Sequence, residues 1–83
     1  MTPIIGILEP NYIVEYLQAR GLYKQYSKAK HILITGDKSR VDFKERQPHG
    51  QNLFSFRINK QFRALGRFDA DGDFIVSRID NHQ

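Results

Sequence analysis

The sequence predicts an α+β fold in which an N-terminal helical hairpin packs on one face of a mostly antiparallel four-stranded sheet. Apolar residues recur at helical spacing between residues 11 and 36, and from residue 41 onward they alternate with polar residues, as in a strand. Short turn-forming segments join the predicted strands, so neighbouring strands should run antiparallel. With 83 residues and no cysteine, the chain predicts a single domain, 1–83, that depends on its hydrophobic core for stability.

The N-terminal half contains the signals for the two helices. The short β-branched run from Ile4 to Leu8 lies between prolines and indicates a possible extra N-terminal strand. Asn11 is a suitable N-cap for a first helix over residues 11–20, which Gly21 ends. A second helix then runs to the stop at Gly36. Its apolar stripe consists of Leu22, Tyr26, Ala29 and Leu33.

The C-terminal half predicts the sheet. The four strands are expected over residues 41–46, 53–58, 62–68 and 74–79. Asn59-Lys60-Gln61 is short enough for a hairpin between the second and third strands, and Asp71-Gly72 is a strong hairpin signal before the fourth. Phenylalanines alternate with arginines along the central hairpin. One face of the sheet should therefore be aromatic and packed under the helices, while the other is open and carries guanidinium groups.

Positive charge is concentrated in the middle of the chain. The net charge is +4, but residues 24–67 hold eleven Lys and Arg against three acidic residues, a local balance of 11 − 3 = +8. Such clustering favours a partner rich in phosphate or carboxylate groups; a merely solvated basic surface is the alternative. No apolar run approaches the roughly 18 to 20 residues of a membrane span, and no signal-like segment is evident, so we expect a cytoplasmic protein that does not bind membranes.

Motifs for nucleotide binding, zinc proteolysis and serine hydrolysis are lacking, and the three histidines show no ligand spacing, so we expect neither a metal nor a cofactor. The acidic segment from Asp69 to Asp73 has its glycine at the fourth position, whereas a calcium loop needs it at the sixth. It therefore predicts a hairpin turn. The open face should bring Arg57, Arg63 and Arg67 together, with cross-strand neighbours about 5 Å apart. Such a cluster favours a bound anion; separate, solvated arginines are the alternative.

The segment from Asn52 to Arg63, which reads Asn-Leu-Phe-Ser-Phe-Arg-Ile-Asn-Lys-Gln-Phe-Arg, is followed by an acidic hairpin and the ending Ile-Asp-Asn-His. It resembles the RelE/ParE toxin superfamily, most closely its RelE, HigB and YoeB branches, over residues 11–83. The resemblance implies a RelE-like fold and the toxin of a type II toxin–antitoxin module. Such a toxin is a metal-independent, ribosome-dependent mRNA endoribonuclease that inhibits translation and is silenced by an acidic antitoxin protein. The alternatives are a ParE-like inhibitor of DNA gyrase and a non-catalytic binding or repressor module.

The resemblance also implies site residues. Arg63 matches the arginine that holds the scissile phosphate, Arg57 the basic residue of the preceding strand, and His82 a terminal catalytic histidine. Glu45 is the candidate for the opposite proton-transfer role. The predicted RNA-binding residues are Lys44, Arg46, Lys60 and Arg67. Gln83 stands where the YoeB branch has a tyrosine, and the C-terminal helix of the RelE branch is absent from the sequence pattern.

Overall fold

A computed structural model describes Ile4 and residues 6–81 of the chain. It shows an α+β fold with two helices on one face of a five-stranded mixed sheet. The helices are α1, Asn11–Ala19, and α2, Tyr23–Ile34; a 3₁₀ helix, Lys38–Val41, follows them. The strands are β1, Ile7–Leu8; β2, Lys44–Glu45; β3, Phe54–Arg57; β4, Phe62–Phe68; and β5, Phe74–Asn81. They lie in the order β1-β5-β4-β3-β2, so the predicted α+β class is confirmed.

The sheet differs from the four-stranded prediction at both edges. The N-terminal run supplies a fifth strand, β1, which pairs parallel to β5 with Ile7 opposite Phe74; the other three pairings are antiparallel. At the other edge, the strand predicted over 41–46 is reduced to β2. Residues 38–41 turn as a 3₁₀ helix, and Asp42 has a left-handed backbone (φ 49°). Extended pairing therefore begins only after that residue.

The helical hairpin follows the sequence signals closely. Gly21 (φ 67°) ends α1, where Leu22 N donates to the carbonyl of Leu17 at 2.8 Å, and Gly36 (φ 98°) follows α2. The predicted N-cap is displaced by one residue: Pro10 occupies that position, and Asn11 is the first helical residue with no side-chain capping bond. Among the described residues, neither helix is long and apolar enough to cross a membrane.

Helices and sheet meet in one hydrophobic core. Tyr26 of α2 lies 6.0 Å from Phe56 of β3, measured between ring centroids, and both side chains are buried. The helices contribute Ile13, Leu17, Tyr26, Ala29 and Leu33, and the sheet contributes Ile7, Phe56, Ala64, Phe74, Val76 and Ile79. A cluster of Phe43, Phe54, Phe68 and Phe74 closes one end of this layer. The helix-covered face is thus the aromatic face that the sequence predicts.

Two side chains hold the hairpin turns. Asn59 Oδ1 accepts the N–H groups of Gln61 and Phe62, both at 2.8 Å, between β3 and β4. Asp69 Oδ1 accepts the N–H groups of Asp71 and Asp73, at 2.9 and 3.0 Å, between β4 and β5. The acidic segment therefore forms the hairpin turn expected from its glycine position.

The β4–β5 ladder contains a bulge. Leu65 pairs with Arg78, but the next residue, Gly66, pairs with Val76, so Ser77 is an extra residue in β5. A side chain at Gly66 would collide with the carbonyl oxygen of Ile75, which explains glycine at this tight crossing. The carbonyl of Ser77 accepts the hydroxyl of Tyr12 at 2.8 Å, and this bond ties α1 to the bulge.

Candidate functional site

The face of the sheet opposite the helices carries two rows of cross-strand neighbours. One row contains Arg57, Arg63 and Asp80. The next contains Lys44, Ser55, Leu65 and Arg78. Directly opposed residues of antiparallel strands project from the same face, so both rows share the open face, and Arg57 and Arg63 are immediate neighbours as expected.

Arg63 is half-buried, with 15% of its side chain accessible, and it is bonded to Asp42. Its Nη1 donates to Asp42 Oδ2 at 3.0 Å, and Lys44 Nζ lies 3.5 Å from the same oxygen. The hydrogen bond from Arg63 holds the pKa of the Asp42 carboxyl below its usual range; the Lys44 and Arg63 charges reinforce this shift and partial desolvation opposes it. The Asp42 carboxylate is thus the shared partner of Arg63 and Lys44.

Local backbone geometry brings Asp42 to this position. The 3₁₀ helix ends when Asp42 adopts the left-handed conformation and its N–H bonds to the carbonyls of Lys38 and Ser39. Aspartate tolerates this conformation better than most residues. Lys44 follows two residues later on the same side of the chain. Asp42 was not predicted as a site residue, because its position depends on this left-handed turn and not on strand alternation.

The same alternation separates Glu45 from the arginines. Glu45 pairs with Phe54 on the other face of the sheet, and its Oε2 accepts the N–H of Gly50 at 2.7 Å. The structure therefore does not bring Glu45 together with Arg57 and Arg63, because adjacent residues of a strand point in opposite directions. His82 lies outside the described residues.

The predicted catalytic residue Arg57 and the predicted RNA-binding residues Lys60 and Arg46 lie around this centre. Arg57 is exposed and, within the described part of the chain, has no ion pair; it lines a cleft of about 330 Å³ with Lys28 and Arg40. Lys60 is exposed in the turn that follows Arg57. Arg46 is half-buried just beyond β2, where its N–H donates to the carbonyl of Leu53 at 2.7 Å.

Arg67 belongs to a separate groove on the same face. It lies roughly 13 Å along β4 from Arg63, at the usual rise per strand residue, and lines a depression of about 320 Å³ with Leu53, Leu65, Ser77 and Arg78. Leu65 is buried here although it lies outside the main core. Neither Arg67 nor Arg78 has an ion pair among residues 6–81. The sequence analysis missed Arg78, because only the bulge brings it to this face.

A buried hydroxyl lies beneath the charged layer. Ser55 has no exposed surface, and its Oγ has no hydrogen-bond partner among the residues described. It lies directly opposite Lys44 and precedes Arg57 by two residues, so the three residues share one face. Buried polar groups are normally hydrogen-bonded. Burial of the Ser55 hydroxyl at the base of the charged face therefore lowers the stability of the fold.

The sequence matches no protein-family model and no curated protein.

The open face carries charged groups suited to binding an anion. Arg57, Arg63 and Lys44 against Asp42 and Asp80 leave 3 − 2 = +1 charge on one end of the open face. Guanidinium groups bind phosphate oxygens in bidentate fashion, and an ammonium adds a point charge. No group of three or more His, Asp or Glu side chains that could hold a metal occurs among the described residues. The arrangement is suited to holding a phosphate group.

Proposed function

We propose that this chain is the toxin of a type II toxin–antitoxin module, with a RelE-like fold, and that it acts in the cytoplasm as a metal-independent, ribosome-dependent mRNA endoribonuclease. The supporting observation is the Arg57–Arg63 pair on the sheet face opposite the aromatic core, with Lys44 joined to Arg63 through their shared partner Asp42. Asp42 is bonded to Arg63, but Arg57 has no ion pair among the described residues, so full compensation of these like charges requires a further anion. A polyanionic ligand such as RNA supplies that compensation at each phosphate.

The proposed reaction is an internal transesterification. The 2′-hydroxyl of a nucleotide loses its proton and attacks the adjacent phosphorus; the bond to the 5′-oxygen of the next nucleotide breaks, and that oxygen takes up a proton. The products are a 2′,3′-cyclic phosphate and a 5′-hydroxyl. Arg57 and Arg63 stabilise the extra negative charge of the pentavalent phosphorane, an effect worth roughly 3 to 4 kcal/mol for a well-placed donor.

Proton transfer is the second requirement of this reaction. We assign one proton-transfer role to His82, because an imidazole with a pKa of about 6.5 can both accept and release a proton near neutrality. Glu45, the earlier candidate for the other role, is bonded to the Gly50 amide on the opposite face, so it must leave that bond to take part.

The decisive experiment compares Arg63→Ala with wild type and with Lys24→Ala. Lys24 is exposed on α2, away from the sheet. Its replacement by alanine removes one positive charge, as Arg63→Ala does. Induction of wild type should arrest growth, and mapping of RNA 5′ ends should show cleavage within ribosome-bound messages. Arg63→Ala should lower the cleavage rate about 100- to 1000-fold, while Lys24→Ala retains it. Arrest with intact RNA and inhibited gyrase supercoiling would contradict the proposal.

We further propose that the partner is an acidic antitoxin that covers the open face. The groove offers an apolar floor at Leu53 and Leu65 and two arginines, Arg67 and Arg78, that have no ion pair within the described part of the chain. This combination fits an apolar side chain flanked by carboxylates, supplied by a segment that folds on binding. Exposed Leu8 and Tyr12 enlarge the apolar surface beside β5.

Co-purification with an acidic protein encoded next to the toxin tests this partner. Binding should weaken as ionic strength rises, because charge complementarity accelerates association. Arg78→Glu should weaken binding more than Lys24→Glu, which makes the same charge change on the helical side. Equal losses for the two variants, or recovery of the toxin chain alone at low salt, would contradict the assignment of this groove.

A further inference from the structure

The bond between Asp42 and Arg63 has a consequence for any ligand of the open face. Arg63 is the cation best placed to bind a phosphate, yet its Nη1 is already engaged by Asp42 Oδ2 at 3.0 Å, and Lys44 approaches the same oxygen at 3.5 Å. The carboxylate thus occupies the position between these two cations that an oxygen of a bound phosphate would take. The neighbouring cation, Arg57, has no ion pair among the described residues.

We propose that Asp42 is the resident anion of this binding site and sets its selectivity, so that a phosphodiester binds Arg63 and Lys44 only by displacing the Asp42 carboxylate. The inference takes the identity of the ligand, RNA, from the proposed function. The displacement itself rests on the geometry of Asp42, Arg63 and Lys44.

The Asp42 carboxylate competes, weakly but effectively, with a bound phosphate for Arg63 and Lys44. Its side chain is 40% exposed, so water can solvate the carboxylate when the ion pair opens, whereas Arg63, at 15%, needs the phosphate as its new partner. Because the carboxylate is attached to the chain beside the cations, its effective concentration is high, and a free anion of single charge must compete against it. A polyanion that also contacts Arg57 gains a second interaction that Asp42 cannot supply. The site therefore favours RNA phosphates over isolated small anions.

The open face offers a matched control in Asp80. It is the residue directly opposite Arg63 in the β4–β5 ladder, and it forms no ion pair among residues 6–81. Asp42→Asn and Asp80→Asn change the net charge equally on the same face, but only the first releases Arg63. Asparagine suits position 42, since it tolerates the left-handed backbone found there.

The experiment measures affinity for a fully 2′-O-methylated hexaribonucleotide, which cannot be cleaved because it has no attacking hydroxyl. Isothermal titration of wild type, Asp42→Asn and Asp80→Asn should show about fivefold tighter binding for Asp42→Asn and less than half that gain for Asp80→Asn. Inorganic phosphate at millimolar concentration should shift the backbone amide signals around Arg63 in Asp42→Asn and leave wild type unchanged. Adding Arg63→Ala to Asp42→Asn should abolish the gain.

Several results would overturn the inference. Equal gains for the two asparagine variants would mean that only the net charge matters. Unchanged affinity for Asp42→Asn, a gain that survives Arg63→Ala, or no binding by any folded variant would each contradict it, with folding checked by the amide spectra. RNA cleavage does not enter this test. A gain in Asp42→Asn without message cleavage by wild type would refute the proposed function and uphold the displacement.

Discussion

The two faces of the central hairpin are built from the same two strands by different forces. Toward the helices, Phe56 and Ala64 are fully buried in an aromatic core. Away from them, the adjacent residues Arg57 and Arg63 lie side by side, and one of the two has no ion pair among the described residues. Burial of apolar surface stabilises the first face, whereas the second concentrates like charge. The strands supply stability on one side and binding capacity on the other.

The largest expected effect tests this division directly. Phe56→Ala should lower the free energy of unfolding by about 3 to 4 kcal/mol, because it removes a buried ring and leaves a cavity. Arg57→Ala changes the next residue, which points to the other face, and should alter stability by less than about 0.5 kcal/mol. Urea denaturation of both variants measures the contrast. Similar losses for the two would show that the open face also contributes to the core.

A polar contact within the helix-covered layer should have the next largest effect. The hydroxyl of Tyr26 donates to Glu9 Oε2 at 2.7 Å, and Lys30 Nζ lies 3.2 Å from both oxygens of that carboxylate. Burial, followed by the bond to Glu9, raises the pKa of the Tyr26 hydroxyl well above its usual value, so it remains a donor. Tyr26→Phe should cost about 1 to 2 kcal/mol.

Tyr23→Phe is the control for that substitution. Tyr23 lies 6.3 Å from Tyr26 between ring centroids, but it is exposed and should lose less than about 0.5 kcal/mol with its hydroxyl. Thermal unfolding of both variants distinguishes a specific bond from a general effect of removing a tyrosine hydroxyl. A loss in Tyr23→Phe as large as that in Tyr26→Phe would contradict the role of Glu9.

Replacement of Ser55, on the open face, should change the free energy of unfolding in the opposite direction. Because its buried Oγ has no partner among the described residues, Ser55→Ala should leave stability unchanged or raise it by up to about 1 kcal/mol. The change can be measured by urea denaturation alongside Phe56→Ala, the next residue in the strand. A clear loss in Ser55→Ala would mean that the hydroxyl makes a stabilising contact.

The smallest effect is the acid sensitivity of Asp42. Its pKa is lowered in the folded protein, first by the hydrogen bond from Arg63, so the interaction stabilises above the unfolded pKa of about 3.9. That stability is lost as the pH falls through the lower folded value. Since the pair is partly exposed, the contribution should be below about 1 kcal/mol. Stability curves of wild type and Asp42→Asn should converge at acid pH; a constant difference would contradict this linkage.

Local signals explain which parts of the fold were predictable. The glycine stop at Gly21, the hairpin turns at Asn59 and Asp71-Gly72, and the alternation of phenylalanine with arginine each depend on a few neighbouring residues, and the structure shows all of them. The parallel pairing of β1 with β5 joins segments more than sixty residues apart. No local pattern specifies that partner, so the sequence analysis left the strand as an open alternative.

The site, like the fold, was predictable where it depends on a local pattern and not elsewhere. The Arg57–Arg63 pair follows from strand alternation and a short turn. The left-handed backbone of Asp42 depends on how the 3₁₀ helix ends, and the resemblance to a toxin family directed attention to Glu45 instead. Strand alternation alone places Glu45 on the face opposite Arg63, and the structure shows that placement.

The extra residue at Ser77 divides β5 into two halves with opposite parity. Before it, even-numbered residues such as Phe74 and Val76 are buried; after it, the odd-numbered Ile79 is buried, and Arg78 and Asp80 line up with Leu65 and Arg63. The bulge at Ser77 thus determines on which face of the sheet each later side chain of β5 lies. If Ser77 instead paired with Leu65 in a regular ladder, Ile79 would move to the open face and Arg78 and Asp80 would point toward the helices, so the composition of the open face depends on this bulge as much as on any side chain.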